Sequence, residues 1–125
     1  ARGAANLGTE GYFSLMSHAA ARVGNASSGI VEAASFKLPV VNIGDRQRGR
    51  FHGRNVIYSG YSRQEILEAI RKVTSPQFRA TLKGLVNPYG DGQAAERIVS
   101  GLKSASLDSR LLLKKFYVIQ ESNGE

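Results

Sequence analysis

The chain has 125 residues, the size of a single domain with one core. Hydrophobic residues make up 42% of it and charged residues 22%, which excludes a disordered chain, and no apolar run approaches the roughly 20 residues of a membrane span. The net charge is +7 and there is no cysteine, which excludes disulfides and thiolate metal sites and leaves a reducing compartment open. From the first residue onward, short apolar runs alternate with segments of helical period. Residues 3–7 read as the end of a short strand, and Glu10 to Ala20 as a helix with Tyr12, Leu15, Met16 and Ala19 at helical spacing. Residues 21–24 form a second short strand, Asn25 to Ser28 a tight polar turn, and Gly29 to Phe36 a helix again. Pro39 to Ile43 is the clearest strand, β-branched and uninterrupted as a buried parallel strand would be.

Residues 44–55 are a loop rich in glycine and arginine, followed by a strand at Val56 to Tyr58. Ser62 then caps a helix carrying Ile66, Leu67, Ile70 and Val73, and Ser75-Pro76 opens another. Asn87 to Gly92 is a turn, Gln93 to Leu102 a helix, and Asp108 the cap of a last helix through Leu111, Leu112, Leu113 and Phe116. This order predicts an α/β fold with a Rossmann-like parallel sheet of three or four strands, few for a complete doubly wound domain. No internal repeat is visible. The chain starts at Ala1 without a methionine inside a seemingly structured segment, so it reads as part of a longer protein. It carries no secretory signal pattern, and a cytoplasmic protein without a membrane anchor is expected.

Three segments carry possible chemistry. Gly24-Asn25-Ala26-Ser27-Ser28-Gly29 lies between a strand and a helix, where small residues let backbone amides approach an anion. It matches neither the phosphate-loop lysine pattern nor the dinucleotide glycine pattern, and alone it reads more simply as a turn with an N-cap serine. Glu32, one turn into the helix, suits ribose hydroxyls or the helix N-terminus equally well. The run Asn42-Ile43-Gly44-Asp45-Arg46-Gln47-Arg48-Gly49-Arg50 leaves the carboxyl end of the best strand. Ligands of open α/β sheets lie there, so this loop and residues 24–29 are expected to line one crevice. Arginine's planar fork suits phosphate oxygens, although a solvated basic loop explains the cluster of Lys37, Arg46, Arg48, Arg50 and Arg54 comparably well. The turn Asn87-Pro88-Tyr89-Gly90-Asp91-Gly92 is expected to be structural, with Asp91 bonding backbone amides. His18 and His52 have no metal-ligand spacing, so no metal and no cofactor is expected. No nucleophile pattern or carboxylate pair suggests catalysis on this stretch.

At these same residues the chain resembles a family. Gly24 to Arg50, GNASSGIVEAASFKLPVVNIGDRQRGR, is similar to the signature of the hydrolysing UDP-N-acetylglucosamine 2-epimerases. So are LGTEGYFSLMSHA (Leu7 to Ala19), the NPYGDG turn, the ERI at Glu96 to Ile98, and Lys114-Lys115-Phe116-Tyr117. The resemblance implies part of the C-terminal domain of a GT-B type two-domain enzyme. It places the diphosphate on Ala26, Ser27, Ser28 and Gly29, the ribose on Glu32, Arg46 on the nucleotide, and the uracil near Leu7 and Tyr12. Residues 1–106 would be the nucleotide-binding portion, and residues 107–125 a helix crossing to an N-terminal domain outside this chain.

The family's reaction is anti elimination of UDP to a glycal, then hydration to N-acetylmannosamine, as in sialic acid or capsule sugar biosynthesis. Its acid and base residues match no position here, so this stretch alone is expected to be inactive. The partners implied are a UDP-sugar, the N-terminal domain and a possible second copy of the chain. Ala26 stands where the family has serine, Lys37 where glycine is common, and Ala20 and Arg22 depart from the usual junction. A non-hydrolysing 2-epimerase, a GT-B glycosyltransferase and, more remotely, a basic nucleic-acid-binding module are the alternatives; the last has no interleaved aromatics near Arg46 to Arg54.

Overall fold

The computed structural model describes residues 3–108 and Leu113. In chain order the elements are α1 (Gly8–His18), β1 (Arg22–Gly24), α2 (Ser28–Val31), a 3-10 turn (Ala33–Phe36), β2 (Val40–Ile43), β3 (Val56–Ser59), α3 (Arg63–Thr74), α4 (Pro76–Thr81) and α5 (Ala94–Ser104). The strands form a three-stranded sheet in the order β1-β2-β3. Both pairings are parallel, with Gly24 beside Asn42 and Ile43 beside Ser59. The α/β class and parallel sheet expected from the sequence are therefore present.

β2 is the centre because it is apolar on both faces. Val40 packs with Met16, Ile30, Ala33, Leu38 and Val56 on one side of the sheet. Val41 packs with Ala69 and Val73 of α3 on the other. Ser62 caps α3 through a reciprocal capping box: its hydroxyl accepts from the Glu65 amide, and the Glu65 carboxylate accepts from the Ser62 amide. The Ser62 hydroxyl also donates to that carboxylate, and this bond, with the amide's, holds the Glu65 carboxyl below the usual carboxylate range.

Two expectations need correction. Residues 3–7 form no strand; Asn6 instead accepts the Gly8 amide at 2.8 Å, and Gly8 turns the chain into α1 at φ +64°. The helix expected over Gly29 to Phe36 breaks after Val31 and tightens into 3-10 geometry. It ends at Lys37, whose φ of 51° is left-handed, with Lys37 and Leu38 amides returning to Ala34 and Ala33. A left-handed backbone of this kind favours glycine, and here a lysine adopts it.

The chain divides into two compact units, 1–91 and 92–125. The first holds the sheet and both cores. In the second, α5 has no buried residue and exposes Ile98, Val99 and Leu102. The expected final helix from Asp108 lies outside the described residues apart from Asp108 and Leu113. No helix among the described residues is long and apolar enough to cross a membrane.

Candidate functional site

The parallel register sets the turn after β1 beside the loop after β2, because Gly24 and Asn42 are partners at the ends of their strands. A buried side chain joins the two. Gln47 is 3% exposed, and its Nε2 donates to the Asn25 carbonyl at 2.8 Å. The Gln47 carbonyl in turn accepts from the Tyr58 hydroxyl at 3.0 Å, tying the loop to β3. Asn42, also buried, donates to the Gly44 carbonyl and shapes the loop's exit from the strand. The sequence singled out the arginines of this loop; the residue that holds it is the glutamine between them.

Within the turn, Ala26 and Ser27 are exposed, Ser28 is half-buried and Gly29 is buried. The Gly29 amide bonds the Ala26 carbonyl at 3.1 Å, while the amides of Ala26, Ser27 and Ser28 have no backbone partner among the described residues. Ser27 stands at the N-cap, but its side chain makes no cap hydrogen bond, so the turn is not held by a serine cap. The Ser28 hydroxyl instead meets the Tyr12 hydroxyl at 2.7 Å.

Tyr12 connects the turn to a hollow. Leu7 and Tyr12, and Glu32 twenty residues on, line one cavity of about 700 Å³ with Asn6, Thr9 and Phe13. Glu32 Oε2 is buried there without a hydrogen-bond partner, an unusual state for a carboxylate and one that a hydroxyl donor would relieve. Burial pushes the Tyr12 phenol up, but its bonds with Ser28 and Arg22 and the guanidinium charge together hold it below the ordinary tyrosine value, with Glu32 working against them.

The side chains of Arg46 and Arg50 are exposed and have no hydrogen bond or ion pair among the described residues. Arg48 pairs with Asp45 at 2.9 Å, and Arg54 donates to the Lys83 carbonyl at 3.0 Å. A second cavity, of about 770 Å³, lies at the ends of β2 and β3 between Gly44, Arg48, His52, Ser59 and Tyr61. Arg46 lines neither cavity. The NPYGDG turn is anchored by Asn87, whose Nδ2 reaches the Val31 carbonyl and the Ser35 hydroxyl. Nothing in the residue pattern marked Asn87 for this, since the partners lie more than 50 residues away. His18 bonds the Ser14 carbonyl, and His52 bonds the Gly53 carbonyl and packs on Tyr58. Among the described residues no cluster of histidine and carboxylates could hold a metal.

The sequence model of the family described as UDP-N-acetylglucosamine 2-epimerase matches residues 2–103. The chain is 43% identical over 112 residues to a GDP/UDP-N,N'-diacetylbacillosamine 2-epimerase (hydrolyzing) of Campylobacter jejuni, covering 89% of this chain and 28% of that protein. A UDP-N,N'-diacetylbacillosamine 2-epimerase (hydrolyzing) of Legionella pneumophila is 42% identical over 93 residues, which are 74% of this chain and 23% of that one. The polysialic acid biosynthesis protein P7 of Escherichia coli is 30% identical over 93% of this chain and 30% of its own length. The chain thus spans between 23% and 30% of the length of these relatives.

Proposed function

The chain belongs to the UDP-N-acetylglucosamine 2-epimerase family, and on that premise we propose that it is the UDP-binding part of a hydrolysing 2-epimerase acting on a UDP-linked 2-acetamido sugar. The diphosphate rests on the turn Ala26, Ser27, Ser28 and Gly29, and Arg46 reaches it from the adjoining loop. Glu32 takes the ribose hydroxyls, and Leu7 and Tyr12 border the base. The observation that carries this reading is the shared cavity of Leu7, Tyr12 and Glu32, with Tyr12 bonded to Ser28 of the turn. Positions assigned to base, ribose and diphosphate are thereby neighbours.

In this reading UDP is eliminated with the C2 proton to leave a glycal, and water then adds to release the 2-epimeric free sugar. The present residues stabilise the negative charge gathering on the departing diphosphate. Proton transfer falls to the N-terminal domain and to residues outside this chain. N-acetylmannosamine from UDP-N-acetylglucosamine is the first product expected. The names of the Campylobacter and Legionella relatives favour UDP-N,N'-diacetylbacillosamine as a second substrate to try.

The binding test is calorimetric titration of the intact protein with UDP. Arg46→Ala should weaken binding by about 1.5–3 kcal/mol, the scale of a charged hydrogen bond. Equal affinity in parent and variant would remove Arg46 from the site. The reaction test offers each UDP-sugar without an acceptor. Free UDP with the 2-epimeric sugar supports the hydrolysing reading, an epimerised UDP-sugar supports the non-hydrolysing one, and no release without an acceptor points to a transferase.

A further inference from the structure

Arg22 opens β1 and sends its side chain beneath the turn. Its Nε donates to the Tyr12 hydroxyl at 3.1 Å, and Tyr12 meets Ser28 Oγ at 2.7 Å. Its Nη1 is buried without a partner. It lies close under Gly29, where an added Cβ would come within 2.5 Å of it. A side chain at 29 would displace the guanidinium from its place under the turn. Glu32 Oε2 is also buried and unpartnered, yet no ion pair joins Glu32 to Arg22 among the described residues. The guanidinium under the turn has no ion-pair partner among the described residues.

The proton inventory gives this chain a direction. A guanidinium only donates, so the Tyr12 oxygen is the acceptor from Arg22. If Ser28 also donated to Tyr12, two donors would converge on one oxygen and the phenol proton would need a third partner that no described residue supplies. With Tyr12 as donor to Ser28, the phenol proton has an acceptor, and the cation at the head of the chain polarises each O–H after it. The Ser28 proton is then released outward, on the turn that also carries the exposed Ala26 and Ser27.

We propose that Arg22 and Tyr12 are positioning residues for the anion site: through the chain Arg22 Nε–H to Tyr12 O–H to Ser28 O–H, they fix the Ser28 hydroxyl as a hydrogen-bond donor to a phosphate oxygen. This rests on the reading that a nucleoside diphosphate occupies the turn. Tyr12 then borders the nucleoside cavity and serves the diphosphate as well.

The test is a mutant cycle in the intact protein, read by UDP affinity with uridine as the uncharged probe and thermal midpoints in parallel. Ser28→Ala and Tyr12→Phe should each weaken UDP about threefold to tenfold, the scale of one hydrogen bond. Tyr12→Phe keeps the ring in the core and removes only the oxygen, so it reports even where Arg22→Leu fails to fold. In the Ser28→Ala background, Tyr12→Phe and Arg22→Leu should cost UDP less than about twofold, because the relay has lost its end. Uridine affinity should be unchanged by Ser28→Ala, and Arg22→Lys should restore part of what Arg22→Leu loses. Equal costs of Tyr12→Phe with and without the Ser28 hydroxyl overturn the relay. So does a parental UDP affinity in Ser28→Ala; if Arg46→Ala still weakens UDP in that case, the site reading stands without the relay. If Arg46→Ala also binds as the parent does, both fall.

Discussion

The turn at 24–29 and the loop at 44–54 leave neighbouring strand ends and carry opposite kinds of construction. The turn is held from beneath: Arg22, Tyr12 and Gln47 each bond a group in or next to it, and Gly29 is buried on Val40 and Arg22. The loop holds its backbone through Gln47 and Tyr58, while Arg46, Arg48 and Arg50 extend into solvent. Amides in a supported turn meet an anion with little ordering left to do. An exposed arginine must give up side-chain freedom of about 1.5–2 kcal/mol when it engages one. Substitutions in the turn should therefore change stability and binding together, whereas substitutions of the loop's exposed cations should change binding alone.

The largest effect that would sharpen this contrast is expected from Gly29→Val. The new side chain meets Arg22 Nη1 and Val40 Cγ1, the latter 3.1 Å from the first carbon added. A stability loss of about 1–3 kcal/mol in urea unfolding should follow, with weaker UDP binding because the turn must shift. A parental midpoint would mean that the turn yields without cost. Next is Gln47→Leu, which keeps the volume but leaves the Asn25 carbonyl without its donor. About 1–2 kcal/mol of stability should be lost, together with part of the UDP affinity as Arg46 moves relative to the turn. UDP binding unchanged in a destabilised protein would show that the two loops need not be tied. The smallest effect belongs to Arg48→Ala. Its pair with Asp45 leaves the side chains 78% and 63% exposed, so stability should stay within about 0.5 kcal/mol of the parent. UDP affinity should hardly move. A loss as large as that of Arg46→Ala would make Arg48 the phosphate-binding cation instead.

Legibility of the fold followed the range of the interactions. Pro39 to Ile43 announced a strand buried on both faces, and Ser62 announced a helix start; both rest on neighbours a few residues away. The residues around the turn at 24–29 were legible only in part. Ser27, Ser28, Glu32 and Arg46 stood out by residue type next to strand ends. Gln47 read as a spacer between arginines, and Asn87 as one letter of a turn.

The sequence by itself determined the alternation of strands and helices, the buried central strand, the position of the small-residue turn and the family. All of these are encoded in local periodicity, capping and contiguous motifs. The tertiary structure alone decided that residues 3–7 are not a strand and that the helix after the turn tightens and ends at a left-handed Lys37. It also decided that Arg22, Tyr12 and Ser28 form one hydrogen-bonded line, and that Gln47 joins two loops. Those outcomes depend on which polar groups find partners across the fold. That matching is set by strand register and packing, and no window of neighbouring residues contains it.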